Sequence, residues 1–106
     1  MTERANFFHN VFFWLRDAGA AERVAEGCKR HLSAIPDIVR LTVGFPSGPS
    51  QLPVDSSYGV ALLIEFTGSA AHDAYEVHPD HLRFVDEFGP LFSRVVVYDV
   101  ESSIGG

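Results

Sequence analysis

Two histidines and a tyrosine fall within one seven-residue stretch, Tyr75-Glu76-Val77-His78-Pro79-Asp80-His81, and another histidine, His9, stands near the start of the chain; each of these side chains can move or hold a proton. Histidine changes charge near neutral pH, and a phenol can donate a hydrogen bond to a developing oxyanion. The set suggests acid/base chemistry in which His81 takes a proton, Tyr75 holds the oxygen and His9 orients one of them. The proline gives the stretch its shape. A residue before proline is pushed out of helical geometry, so His78-Pro79 bends the chain, and Pro79 then suits the first turn of a new helix. His81 falls in that first turn, where the helix dipole disfavours a cation and leaves the imidazole able to accept a proton.

Each of these residues also has a plainer reading. A buried histidine usually satisfies a backbone group. Tyr75 can pack with its hydroxyl at the surface, and His78 can cap or brace the bend. His31 and His72 read as solvent-facing, and Cys28 as a small core residue. Asp55, Asp86, Glu87 and Asp99 read as solvated charges or turn residues. A metal site from His9, His78 and His81 is not expected, because the bend interrupts the spacing and no carboxylate partner is obvious. No phosphate loop, nucleophile elbow or dinucleotide fingerprint occurs, so no cofactor is expected.

The elements that must position these groups follow from periodicity. Residues 7–15 are aromatic and β-branched and predict a strand. Residues 20–34 predict a helix with Ala21, Val24, Ala25, Cys28 and Leu32 on one side and charges on the other. Residues 38–45 and 58–66 predict two more strands, separated by a proline-rich loop over 46–57. Ser69 is a candidate N-cap for a short helix over 70–77. A further helix over 79–88 carries His81, Phe84, Val85 and Phe88, and Phe92 continues the stripe expected to face the sheet. Residues 95–100 predict the last strand.

The order β-α-β-β-α-β is the ferredoxin-like α+β pattern. Its helices cover one face of the sheet, yet the first, third and fourth strands are apolar on both faces. Phe8, Phe12, Trp14, Leu63, Val96 and Tyr98 share the uncovered face, and leaving them in water makes a large apolar patch. A second copy of the sheet is the simplest cover, which predicts a homodimer with two-fold symmetry.

Composition fits one domain over residues 1–106 with an aromatic core of nine Phe. Eight basic residues against fourteen acidic ones, a net charge of −6, disfavour nucleic acid and anionic membrane surfaces as partners. One cysteine excludes an intrachain disulfide and, with an N-terminus unlike a secretory leader, suggests a cytoplasmic protein.

His9-Asn10-Val11-Phe12-Phe13, Asp55-Ser56-Ser57-Tyr58, the Tyr75–His81 stretch and Val97-Tyr98-Asp99 together resemble the stress-responsive dimeric α/β-barrel (Dabb) family over about residues 7–100. The resemblance implies ferredoxin-like subunits paired into a dimeric α/β barrel. The family includes a plant polyketide cyclase that closes the ring of olivetolic acid by aldol condensation, without cofactor or metal. Carried over, its site implies His81 as base, with Tyr75 and His9 beside it. The pocket wall it implies is Val11, Phe13, Val24, Cys28, Leu62, Ile64, Phe84, Phe92, Val95 and Val97. Val85 stands where the cyclase has glycine and is expected to narrow the cavity. Three functions follow as expectations. One is cofactor-free, cyclase-like chemistry on a small apolar or aromatic ligand. The second is a non-catalytic stress-induced binding dimer, and the third, by fold analogy, a cofactor-independent monooxygenase.

Overall fold

A computed structural model describes residues 4–48 and 52–102. Four antiparallel strands form one sheet in the order β2-β3-β1-β4. They are β1 (Phe7–Leu15), β2 (Ile38–Gly44), β3 (Val60–Phe66) and β4 (Phe92–Glu101). Helices α1 (Ala21–Leu32), α2 (Ser69–Glu76) and α3 (Pro79–Phe88) complete the ferredoxin-like α+β fold. The first strand has the expected bounds. β3 starts two residues later than its composition suggests, and β4 starts three residues earlier. Phe92 therefore belongs to β4 and not to the helical stripe. Ser69 is the first residue of α2, whose N-cap is Gly68, and no side chain caps it.

β1 lies between β3 and β4, and its alternation decides which groups meet. Phe7, His9, Val11 and Phe13 are buried toward the helices. In register, His9 stands opposite Ile64 on one side and Asp99 on the other, and Val11 opposite Leu62 and Val97. Ferredoxin-like topology makes β1 central, so its aromatic and β-branched residues are covered on both edges.

α1 packs on the sheet and on α3 with Val24, Cys28 and Leu32 fully buried. Burial pushes the Cys28 thiol up to about 12, so it sits in the core as an uncharged group. Gly27 matters to this contact because the Phe88 ring lies where a Cβ would be, as close as 2.2 Å. After α1, Asp37 takes a left-handed conformation (φ 66°), one of the few residue types that does so readily, and turns the chain into β2.

Among the described residues, no helix covers the opposite face of the sheet. Phe8, Phe12, Trp14, Leu63, Val96, Tyr98 and Val100 lie on it by strand parity and register. Phe12 packs edge-on against Tyr58 and Tyr98, and the Arg94 guanidinium sits 4.6 Å over the Trp14 ring. The Trp14 indole donates to Ser57 Oγ at 3.0 Å. No helix among the described residues is long and apolar enough to cross a membrane.

Two histidines differ from the expectation of solvent exposure. His72 is buried on the inner side of α2, stacked on Phe7. His31 is half-buried and pairs with Glu87 at 2.8 Å, and Arg30 joins the same carboxylate. Glu87 is thus an ion-pair partner, and its carboxyl lies below the usual range because of these two donors.

Candidate functional site

The bend between α2 and α3 has a defined construction. His78 is extended (φ −66°, ψ 137°), as a residue before proline must be, and Pro79 occupies the first turn of α3. The His78 Nδ1 accepts from the Asp80 backbone N–H at 3.0 Å and so caps α3. His81, one turn on, folds back so that its Nδ1 lies 3.0 Å from the carbonyl oxygen of Glu76, the last residue of α2. A carbonyl can only accept, so Nδ1 carries the proton. In the neutral imidazole the lone pair then lies on Nε2.

His81 and Tyr75 are close, with ring centroids 4.6 Å apart, and Tyr75 and His9 stand 5.5 Å apart. Tyr75 is only 2% exposed, which corrects the reading that puts its hydroxyl at the surface. Burial raises its pKa, so it remains a phenol and a donor. His9 is buried too, and its Nδ1 lies 2.5 Å from Asp99 Oδ1. Burial lowers the His9 pKa, while the Asp99 carboxylate works in the opposite direction. Since a carboxylate accepts, Nδ1 of neutral His9 is the protonated nitrogen and the Asp99 pair holds the ring in that tautomer.

These three side chains line one cavity of about 210 Å³ between the bend and the β1–β4 half of the sheet. Val11, Phe13, Leu62, Phe84, Val85, Phe92, Val95 and Val97 form its apolar wall. Val95 and Val97 are each 45% exposed although they point to the helix side, because the helices do not reach over β4. That gap is the mouth of the cavity, and Val85 stands at its rim, half exposed. Val24, Cys28 and Ile64 are not at this wall. They lie fully buried in the core, where the cavity does not reach. Phe88 also turns away from it, to α1.

Sequence reasoning missed Asp99, Glu76, Gly89 and His72. Asp99 is no free surface charge; it is the carboxylate partner of His9. Strand parity carries the signal, since Asp99 shares the face of Val95 and Val97. His72 precedes Tyr75 by three positions on α2 and therefore shares its inner side. Asp55 does act as a turn residue, accepting from the backbone and hydroxyl of Ser57.

The model of the Stress responsive A/B Barrel Domain family matches residues 7–102. The chain belongs to this family. Among solved structures it is similar to a Dabb family protein of ferredoxin-like fold from Mesorhizobium loti, with 27% identity, a TM-score of 0.77 and coverage of 93% of this chain and 98% of that one. A dimeric ferredoxin-like protein of unknown function from Thermobifida fusca is 20% identical, with a TM-score of 0.77 and coverage of 96% and 95%. The hydroxynitrile lyase of Passiflora edulis is 17% identical, with a TM-score of 0.78 and coverage of 96% and 97%. No curated protein matches the chain. The Dabb fold accounts for the placement of β1 at the centre and the helices on one side.

If the His78 cap sets the start of α3, His78→Ala lowers stability by about 1 kcal/mol, the usual worth of an N-cap, and His78→Asn retains most of it. Urea denaturation measures both. Equal losses for the two variants would show that the imidazole acceptor does not hold the bend.

Proposed function

We propose that this Dabb protein binds a small apolar or aromatic carbonyl compound in the cavity and catalyses proton transfer on it without a cofactor. One observation carries the reading. The His81 Nδ1–Glu76 carbonyl bond leaves Nε2 as the basic nitrogen, beside a buried phenol and at the edge of an apolar cavity. His81 Nε2 would take a proton from carbon α to the carbonyl. The Tyr75 hydroxyl would hold the oxyanion of the resulting enolate, and His9, held by Asp99, would fix the Tyr75 side of the pocket. A cavity of about 210 Å³ lies below the ~300–1,000 Å³ typical of drug-sized ligands, which points to a compound built on one ring. Val85 at the rim supports the same size class and disfavours a long alkyl chain. The hydroxynitrile lyase among the structural neighbours carries the fold alone and assigns no substrate here.

Proton exchange gives a direct test. In D2O, an aryl methyl ketone such as acetophenone should exchange its methyl protons faster with the protein than without it, as followed by NMR. His81→Ala should slow this exchange roughly 10²–10⁴-fold and Tyr75→Phe roughly 10²–10³-fold, the usual worth of a general base and of one oxyanion donor. Saturable binding of the ketone with no exchange, or exchange unchanged in His81→Ala, would overturn the acid/base reading and favour a non-catalytic binding protein.

The functional unit we infer is a homodimer closed over the helix-free sheet face. The apolar side chains from Phe8 to Val100 on that face support it, as does the dimeric state of the Thermobifida fusca neighbour. Trp14→Glu would place an unpaired charge in the covered face at a cost of about 3–5 kcal/mol and should yield a monomer or an unfolded chain. Sedimentation of the parent as a monomer at micromolar concentration would contradict the assembly.

A further inference from the structure

His72 is the least explained side chain of the inner layer. It is 6% exposed, and its Nε2 has no hydrogen-bond partner among the described residues. A buried polar atom is ordinarily satisfied, so an unpaired imidazole nitrogen calls for a cause. The ring is not free to turn away, because it stacks on Phe7 with centroids 4.4 Å apart.

What surrounds Nε2 is a set of metal-binding atoms. Glu76 Oε1 lies at 3.7 Å and Asp99 Oδ2 at 3.8 Å. Both are too far for hydrogen bonds. They are close to the ~3.0–3.6 Å that separates neighbouring ligand atoms when each is bonded to a zinc-sized ion. Asp99 also reaches His9 Nδ1 at 2.5 Å through its other oxygen. Ligand atoms of His9, His72 and Asp99 all fall within 4.8 Å of one another.

We propose that His9 Nδ1, His72 Nε2 and the Asp99 carboxylate form a binding site for a divalent transition-metal ion of the zinc class. Two neutral imidazoles and a carboxylate suit such an ion in both ligand type and charge and leave its fourth position open. The histidines are buried, while the Asp99 and Glu76 side chains are 37% and 54% exposed, so the ion enters from the carboxylate side. To ligate, His9 must lose the Nδ1 proton that it shares with Asp99. The neutral ring then carries its proton on Nε2. Ion binding thus turns the second nitrogen of His9, a residue of the cavity wall, from an acceptor into a donor. The site shares His9 and Asp99 with the cavity, but His72 takes no part in the exchange reaction, so zinc uptake by the parent and its loss in His72→Phe test the site apart from the proton-transfer reading.

Calorimetric titration of chelator-stripped protein with zinc chloride tests the site, with cobalt(II) as a spectroscopic substitute. The expected result is one ion per chain, visible d–d bands from bound cobalt and a Tm that rises with zinc. His72→Phe keeps a ring against Phe7 but removes both nitrogens, and should abolish uptake. Asp99→Asn should weaken binding at least about tenfold. His31→Gln, which alters the separate Glu87 pair, should leave it unchanged. Three outcomes overturn the proposal: no zinc uptake by the parent, unaltered affinity in His72→Phe shown by circular dichroism to be folded, or loss of binding in His31→Gln. If His72→Phe does not fold, Asp99→Asn decides, and an affinity equal to the parent's rules the site out.

Discussion

The break at His78-Pro79 is the constraint on which the cavity depends. Proline cannot continue α2, and the residue before it cannot be helical, so one helical path becomes two helices with a corner between them. The corner is held at both sides. His78 caps the new helix, and His81 returns its Nδ1 proton to the carbonyl that α2 leaves unsatisfied at its end. A straight helix through this region would carry His81 past Tyr75. The corner sets the two rings 4.6 Å apart.

The second constraint is the centrality of β1. Because β1 is paired on both edges, its inward side chains meet partners from β3 and β4 at fixed register, and His9 has Asp99 opposite it. A buried histidine next to a carboxylate keeps one tautomer, and that tautomer decides which nitrogen faces chemistry. The same centrality leaves the outward residues of β1 as the middle of an apolar face. A subunit with cavity and helices on one side and a bare aromatic sheet on the other is built to be covered by something flat and apolar.

Much of this is legible in the sequence because it is local. The strand over 7–15 is bounded by a turn and filled with β-branched and aromatic types, and its alternation sorts the two sheet faces correctly. Pro79 marks the start of α3 to the residue. What was not legible depends on tertiary placement. Asp99 reads as a surface charge until the register sets it against a histidine 90 positions away. His72 reads as solvent-facing because α2 is too short for its apolar stripe to be distinct, and its burial is decided by Phe7 on another element. Val24, Cys28 and Ile64 sit behind the wall, a depth that periodicity does not resolve: it gives the side of an element, not the distance to a cavity. The start of β4 at Phe92 was obscured by Gly89-Pro90, whose turn is shorter than its composition suggests.

The central claim is that the bend fixes His81 in the Nδ1-protonated tautomer and so leaves Nε2 as the basic nitrogen beside Tyr75. Nitrogen-15 NMR of the imidazole, recorded with the ring neutral, reads the tautomer directly from the two nitrogen shifts and their couplings to the ring protons. The account predicts a protonated Nδ1 and an unprotonated Nε2 for His81. A ring protonated at Nε2, or one averaging freely between the two tautomers, would mean that the Glu76 carbonyl does not hold it, and would contradict the claim.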